Sequence, residues 1–203
     1  ELGYRMRARL HARRGRIGFM REGSHDVCAP GPTGQLLPAT VAWIEDVEAR
    51  IRAGTSAGLL SIEIAENVAA TERACHLEAD AGTDAQRFAV LATEGITGMS
   101  VQVLDRRVVE TVSGVPKVCD TIGVLRLRRH ARSFFQGNRH LLPALVTAVL
   151  RPGTSDGHVL DPYAGVGVFS TAPAATRRGR VPAVAGDPSS GGGPQKNAVP
   201  WGS

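Results

Sequence analysis

The sequence has few aromatic residues, few cysteines and no long apolar run. Aromatic residues make up 4% of the 203 residues, so aliphatic side chains must form most of any core. The three cysteines, Cys28, Cys75 and Cys119, are widely spaced and odd in number, which argues against a disulfide framework and for a reducing compartment. No apolar run approaches the length of a membrane span, and no signal peptide opens the chain. We therefore expect a cytoplasmic protein that makes no membrane contact.

Lysine is almost absent, since Lys117 and Lys196 are the only lysines among 24 basic residues. The formal net charge is +5, and arginine supplies nearly all of the positive charge. The planar guanidinium group binds phosphate oxygens in pairs, so this composition favours a phosphate-bearing partner. A genome rich in arginine codons would produce the same total, so the placement of the arginines carries more weight than their number.

Basic side chains alternate with apolar ones in the first predicted strand, Tyr4–His11. Arg5, Arg7 and Arg9 fall on one face, and this period of two is typical of a half-buried strand. The basic face could contact RNA phosphates or could simply be solvated, and the pattern favours neither. The same alternatives apply to a second arginine cluster, in which the basic residues are Arg126, Arg128, Arg129 and Arg132.

Hydrophobic periodicity predicts an α+β arrangement for residues 1–130. A turn at Arg13–Gly15 leads into a return strand, Arg16–Met20. Later strands are predicted at 60–64, 74–77, 100–104, 108–112 and 122–127. A short helix is predicted at Asp84–Ala92. A longer helix is predicted at Pro38–Ala53, with an inner face formed by Val41, Ile44, Val47 and Ile51.

The pattern changes after Ser133. Asn138 can cap a helix that runs to about Leu150. The strand Val159–Leu160 should follow, then a helix over 166–177 and a second strand over 181–184, while the Gly-, Pro- and Ser-rich tail 188–203 should have little fixed structure. The predicted buried side of the first helix consists of Leu141, Leu142, Leu145, Val146 and Val149.

The segment Asp161–Ser170 is the most informative part of the chain. A strand, a glycine turn and a helix together cradle nucleotide-like ligands at the carboxyl edge of α/β sheets. Gly165 and Gly167 would let a ligand approach the backbone, because no Cβ stands in the way. The acid, the aromatic and Gly-x-Gly are closer to an S-adenosylmethionine loop than to a dinucleotide loop, which needs a third glycine where Ser170 stands. A turn with no ligand remains the alternative.

Three segments together carry a resemblance to a known family: Gly3–Leu10, Ser133–Asn138 and Asp161–Ser170. In this combination and order, the chain resembles the S-adenosylmethionine-dependent RNA uracil-5-methyltransferases, which act on ribosomal RNA or on the T-loop of transfer RNA. The resemblance implies an α+β N-terminal domain at 1–130, the family's central domain. An incomplete α/β Rossmann-like domain of the class I methyltransferase type would occupy 131–187, with a flexible tail at 188–203. It further implies S-adenosyl-L-methionine as cofactor and RNA as partner. The sequence does not determine the oligomeric state, and we expect a monomer.

The resemblance also assigns roles to individual residues. Gln136 matches a glutamine that contacts the methyl donor, and the donor-binding loop would contain Asp161, Tyr163, Gly165 and Gly167. The basic face of the first strand (Arg5, Arg7 and Arg9) would contact RNA.

Three positions depart from the family pattern. Ala185 stands where the family has a glutamate for the donor's ribose hydroxyls, and Val168 stands where a polar residue is common. Cys28 matches the last of four cluster cysteines, but one cysteine cannot hold an iron–sulfur cluster, so we predict no metal site.

The family's chemistry needs a cysteine nucleophile, because carbon five of uracil becomes reactive only after an adduct forms at carbon six. That cysteine and its carboxylate partner would lie beyond residue 203, and neither Cys75 nor Cys119 matches them. We therefore name no catalytic residue, and we expect an inactive fragment that binds the donor weakly or not at all. Two alternatives remain: a non-catalytic basic RNA-binding remnant, and a methyltransferase of the same donor fold that acts on another substrate.

Overall fold

The computed structural model describes residues 1–55, 57–123, 125–149, 161 and 164–170. Seven strands form one sheet in the order β3-β2-β1-β4-β5-β6-β7, and β8 pairs with β9 in a separate hairpin. The strands are β1 (Arg7–Arg13), β2 (Arg16–Met20), β3 (Val27–Cys28), β4 (Leu59–Glu66), β5 (Arg73–Ala79), β6 (Gly98–Val103), β7 (Val109–Gly114), β8 (Lys117–Ile122) and β9 (Leu125–His130).

Neighbouring strands of the large sheet are antiparallel except for β5 and β6, which are parallel. A parallel pair needs a crossover, and this one contains the 3-10 helix Ala85–Leu91. The side chain of Asp84 caps that helix by accepting a hydrogen bond from the backbone of Gln86 at 3.1 Å. Phe88, a residue of this helix, is fully buried in the core between the helix and the sheet.

Two hydrophobic cores organise the described part of the chain. The first lies between one face of the large sheet and the helix α1 (Pro38–Arg50), together with the 3-10 helix. The second joins the inner side of the β8–β9 hairpin to the helix α2 (Leu142–Val149) and to residues 166–168. None of the helices in the described ranges has the length and apolar composition of a membrane span.

The structure confirms the first hairpin and α1 and adjusts their ends. Pairing in β1 begins at Arg7, while Arg5 forms an isolated bridge with Asn138. The turn to β2 uses positive φ angles at Arg14 and Gly15. The helix α1 ends at Arg50, earlier than predicted, and a single π-helical turn (Ile51–Thr55) follows, in which Gly54 has a φ of 90°.

The inner face of α1 was predicted only in part. Ile44 and Val47 are buried as expected, whereas Val41 and Ile51 are only partly buried against the first core. The sequence pattern missed Trp43, which packs in that core.

The predicted single strand over 122–127 is wrong. Ile122 ends β8, the chain turns at Gly123 with a φ of 59°, and β9 returns antiparallel from Leu125. The two apolar residues flank the turn and face the same core, and so imitate one alternating strand.

The predicted buried side of α2 is only partly correct. Leu142 and Val146 are buried, one turn apart, against the second core. The other predicted members lie on the adjacent stripe of the helix, which no described residue covers, so their burial was wrong: Leu141, Leu145 and Val149 are exposed. The predicted strands at 159–160 and 181–184, the tail and Ala185 lie outside the described residues.

Candidate methyl-donor site

The glycine segment forms a tight turn within residues 164–170. Gly165 and Gly167 have φ angles of 53° and 91°, in the left-handed region that only glycine adopts without strain. The Gly167 amide donates a 2.7 Å hydrogen bond to the carbonyl of Ala164, and residues 168–170 are helical. A Cβ placed on Gly165 would meet nothing within 4 Å, so the backbone is open on that side. The turn has the shape that a ligand in close backbone contact requires.

The other residues predicted for this loop are placed only in part. Asp161 lies half-buried at an isolated bridge position. Tyr163 lies outside the described residues. Val168, where the family resemblance leads us to expect a polar group, is buried in the second core. The donor-contacting roles of Asp161 and Tyr163 therefore stay predictions.

Backbone hydrogen bonds tie the segment around Gln136 to the N-terminus of the chain. The Met6 amide donates to the Gly137 carbonyl at 2.7 Å, and the Arg139 amide donates to the Tyr4 carbonyl at 2.9 Å. These bonds flank the bridge between Arg5 and Asn138, so the two segments run antiparallel. Gln136 itself is half-buried. The chain directly after Gln136 is thus fixed to residues 4–6.

The buried carboxylate of Glu66 also holds the segment around Gln136 in place. Glu66, at the end of β4, is 2% exposed and accepts hydrogen bonds at both oxygens. Oε1 accepts from Arg73 Nε at 2.9 Å and from Nη2 at 2.7 Å, and it also accepts from the hydroxyl of Thr40. Oε2 accepts from Arg139 Nη2 at 2.6 Å. Because Arg139 lies three residues after Gln136, this ion pair anchors the Gln136 segment to the large sheet.

A second buried ion pair lies beside the first. Arg129 Nε donates to Asp120 Oδ2 at 2.7 Å, and both side chains are fully buried. The other oxygen of Asp120 accepts from the amide of Val68 at 2.8 Å, and Arg129 also donates to the carbonyl of Glu66. Burial lowers the pKa of Arg129, while the charge and hydrogen bond of Asp120 act in the opposite direction.

The guanidinium of Arg129 also supports the residue next to Gln136. It lies 4.1 Å above the ring of Phe135, a cation–π contact made away from water. Phe135 is buried in the second core together with Val166, which stands between the two loop glycines. The hydrophobic neighbours of Gln136 and of the glycine turn therefore belong to one packed cluster. This cluster is the physical link between the two segments predicted to hold the donor.

The three arginines of the predicted basic face all have partners within the molecule, and two of these partners are carboxylates. Arg5 Nη1 donates to Gln35 at 2.6 Å, and Arg7 pairs with Glu63 at 2.6 Å. Arg9 pairs with Glu78, and its second contact, with Glu63, is 4.0 Å long. Burial raises the pKa of Glu63, and the two arginines act against that shift. RNA contact by Arg5, Arg7 and Arg9 stays a prediction, and these side chains would have to leave or share their present partners.

The cysteines show different environments. Burial raises the pKa of the Cys75 thiol, and no part of its side chain reaches solvent. Cys119 is exposed, and partial burial followed by the charge of Glu72 raises its pKa as well. Cys28 is half-buried at the edge strand β3. Within the described ranges, no group of three or more His, Cys, Asp or Glu side chains is arranged to hold a metal ion.

A buried histidine on the polar face of the large sheet has a measurable consequence for stability. His76 Nδ1 lies 2.9 Å from Ser100 Oγ, and burial lowers the pKa of His76 to about 3, with smaller contributions from Arg132, His130 and Arg9. In the unfolded chain, the pKa returns to 6.5. Between these values the unfolded state binds more protons, so the free energy of unfolding should decrease as the pH falls, by at most about 1.4 kcal/mol per pH unit from this residue.

Replacing His76 with asparagine should flatten the stability profile in that window. Urea unfolding at a series of pH values from 6.5 down to about 4 measures the slope. The exposed His25 is the matched control, and the variant His25→Asn should keep the wild-type slope. An unchanged slope in His76→Asn would show that His76 has the same pKa in the folded and unfolded states and so takes up its proton in the folded protein over this pH range.

The buried charges around the Gln136 segment could not be recognised from the sequence. Charged side chains are seldom buried, so the sequence pattern assigns no role to Glu66 and Asp120 and places Arg129 only in the second arginine cluster. One local signal existed, because Asp120 and Arg129 fall in register with the apolar residues of β8 and β9. A charged residue in an apolar register position indicates a buried ion pair.

No protein-family model matches the chain, and no curated protein sequence matches it. Among solved structures, the chain is similar to the Pyrococcus abyssi tRNA (uracil-54, C5)-methyltransferase in complex with S-adenosyl-L-homocysteine, with a TM-score of 0.71 and 19% sequence identity. The match covers 97% of this chain and 52% of that chain, so the present chain spans about half the length of that protein.

Two further structures are similar over shorter stretches. The M. jannaschii tRNA m1G37 methyltransferase has a TM-score of 0.43 at 18% identity, and the match covers 77% of this chain and 48% of that chain. A putative transferase from Pyrococcus horikoshii has a TM-score of 0.38 at 17% identity, with coverage of 60% and 46%. Similarity of that extent does not define a fold. The Pyrococcus abyssi match confirms the predicted fold, an α+β domain followed by elements of a class I methyltransferase domain.

Proposed function

We propose that the chain supplies the methyl-donor side of an S-adenosylmethionine-dependent RNA methyltransferase that modifies carbon five of uracil in transfer or ribosomal RNA. The observation that carries this proposal is the shared hydrophobic cluster, which contains both Phe135, next to Gln136, and Val166, between the two loop glycines. The fold match supports it, because that protein is a tRNA (uracil-54, C5)-methyltransferase with S-adenosyl-L-homocysteine bound. We place the protein in the cytoplasm as a monomer.

The residues of this chain would bind and orient the donor. The open backbone at Gly165 would lie against it, and the amide side chain of Gln136 would hydrogen-bond its polar groups. Asp161 and Tyr163 are proposed to complete the loop. When bound, S-adenosylmethionine supplies an electrophilic methyl group. The buried ion pairs keep Gln136 in place without touching the donor, so Glu66 and Arg139 are positioning residues.

Neither Cys75 nor Cys119 suits the role of the nucleophile that uracil methylation needs. The thiol of Cys75 is buried, and the raised pKa of Cys119 disfavours its thiolate. We therefore propose that this chain contributes donor binding and that its isolated form has no turnover. A purely RNA-binding protein is the competing function, and donor binding separates the two.

Titration of the ¹⁵N-labelled chain with S-adenosyl-L-homocysteine tests the proposal. Weak binding is expected, and NMR detects it by residue. The amides of Gln136, Gly165 and Gly167 should shift together and saturate, because they face one ligand. If none of them shifts while an RNA stem-loop still binds, the RNA-binding alternative replaces this proposal.

A further inference from the structure

The outer face of the β8–β9 hairpin is a second basic surface. Alternation in both strands places Val118, Asp120 and Ile122 inward. The opposite positions point outward and are exposed: Cys119, Thr121, Arg126 and Arg128. The register sets Cys119 opposite Arg128 and Thr121 opposite Arg126. Two arginines and a hydroxyl therefore share one solvent-facing surface.

This surface forms one wall of a cleft of about 290 Å³. The opposite wall is the loop between β4 and β5, with Asn67, Thr71 and Glu72 among its lining residues. Both a concave shape and positive charge are therefore present at the same place. The sequence shows the positive charge of this arginine cluster, and the structure adds the concave shape and separates the outward Arg126 and Arg128 from the buried Arg129.

Hydrogen bonds fix the loop against the hairpin. The Asn67 side chain accepts from the amides of Thr71 and Glu72 at 2.9 and 3.1 Å, and it donates to the Cys119 carbonyl at 3.1 Å. The Glu72 carboxylate in turn accepts from the Cys119 amide at 2.7 Å. The cleft is thus formed before any ligand arrives, which lowers the entropic cost of binding.

The charges in the cleft favour an anion. Asp120 is paired with Arg129, so the lining sets the guanidinium groups of Arg126 and Arg128 against the single remaining carboxylate of Glu72, and the net charge is positive. Arg126 and Arg128 are two residues apart on one strand, a spacing of about 7 Å. That spacing is close to the separation of successive phosphates along a nucleic-acid strand, and each guanidinium can bind phosphate oxygens in pairs.

We propose that the outer face of β8–β9 is a binding site for the phosphate backbone of RNA, with Arg126 and Arg128 as its cationic contacts. This site would serve the proposed function, on which the choice of RNA as the ligand rests. The inner side of the same hairpin packs with Val166 beside the glycine turn. RNA held on the outer face would therefore be fixed relative to the donor through a single two-stranded element.

Fluorescence anisotropy with a labelled RNA stem-loop at several KCl concentrations tests the site. The double variant Arg126→Gln/Arg128→Gln should raise the Kd at least about tenfold at low salt. It should also reduce the slope of log Kd against log salt by about 1 for each arginine–phosphate pair that the substitutions remove. Arg107→Gln, an exposed arginine between β6 and β7, is the matched control and should change neither quantity.

Protection of Cys119 provides a readout that needs no variant. Cys119 lies opposite Arg128 on the proposed surface, so bound RNA should slow its alkylation, while Cys28 should react at the same rate with or without RNA. An unchanged Kd and slope in the double variant, an equal effect in Arg107→Gln, or no protection of Cys119 would each overturn the proposal. RNA binding is measured here without the donor, so failure of donor binding is a separate result.

Discussion

Replacing Glu66 with alanine should lower the free energy of unfolding by about 3–5 kcal/mol, because removing one member of a buried ion pair leaves its partners charged and unsolvated. Here two guanidinium groups, those of Arg73 and Arg139, would be deprived of their carboxylate at once. Both side chains are about nine-tenths buried, so water cannot readily replace the missing hydrogen bonds. Urea unfolding followed by circular dichroism measures the change.

The control for this prediction is a carboxylate in an exposed pair. Glu110 pairs with Arg106 at 2.8 Å on the surface, so Glu110→Ala should cost less than about 1 kcal/mol. If Glu66→Ala, like the control, costs less than about 1 kcal/mol, the result contradicts the account. It would mean that the network does not hold β4 to the segment after β9.

A double-mutant cycle on Asp120 and Arg129 should show strong coupling. Asp120→Ala and Arg129→Met should each cost about 3–5 kcal/mol, because each strands a fully buried charge. The double variant leaves neither charge, so its cost should fall short of the sum by about 1–3 kcal/mol. Chemical denaturation of the four proteins gives the coupling energy.

Additive costs in that cycle would contradict the proposed pairing. The Arg106–Glu110 pair provides the comparison, since Arg106 is exposed and Glu110 only half-buried, and it should show coupling below about 1 kcal/mol. A second readout follows from the cation–π contact with Phe135. Arg129→Met should shift the Phe135 ring resonances, because the guanidinium lies directly over that ring.

The glycine turn at Gly165 and Gly167 could be predicted from sequence because its signal is local. Glycine at each of these two positions indicates a backbone conformation that other residues avoid, and both residues adopt positive φ angles. Strands β2, β4 and β6 were predictable for a similar reason, since alternation over a few residues defines a half-buried strand. Asn138 was predicted to cap the helix directly, but its side chain accepts from the amides of His140 and Leu141 in a turn that precedes α2, which begins at Leu142.

The support for Gln136 could not be predicted in the same way. Glu66 meets Arg139 across 73 positions of sequence, and no local pattern encodes such a pairing. The strand β8 was missed because its alternation includes the charged Asp120 at an inward position. The arginines of β1 read as a free basic face, since the carboxylates that pair with them belong to strands β4 and β5. Long-range pairing of charges therefore decides how far the basic face of β1 is neutralised.

Titration with S-adenosyl-L-homocysteine of three ¹⁵N-labelled proteins, the wild type, Gln136→Ala and the control Gln86→Ala, tests the central claim most directly. Gln86 lies exposed on the 3-10 helix, away from the second core. In the wild type and in Gln86→Ala, the amides of Gly165 and Gly167 should shift with the same apparent Kd. In Gln136→Ala, that Kd should rise at least about tenfold, as expected when a polar group that binds the ligand is removed. Equal titration curves for all three proteins would contradict the claim that Gln136 and the glycine turn form one donor site.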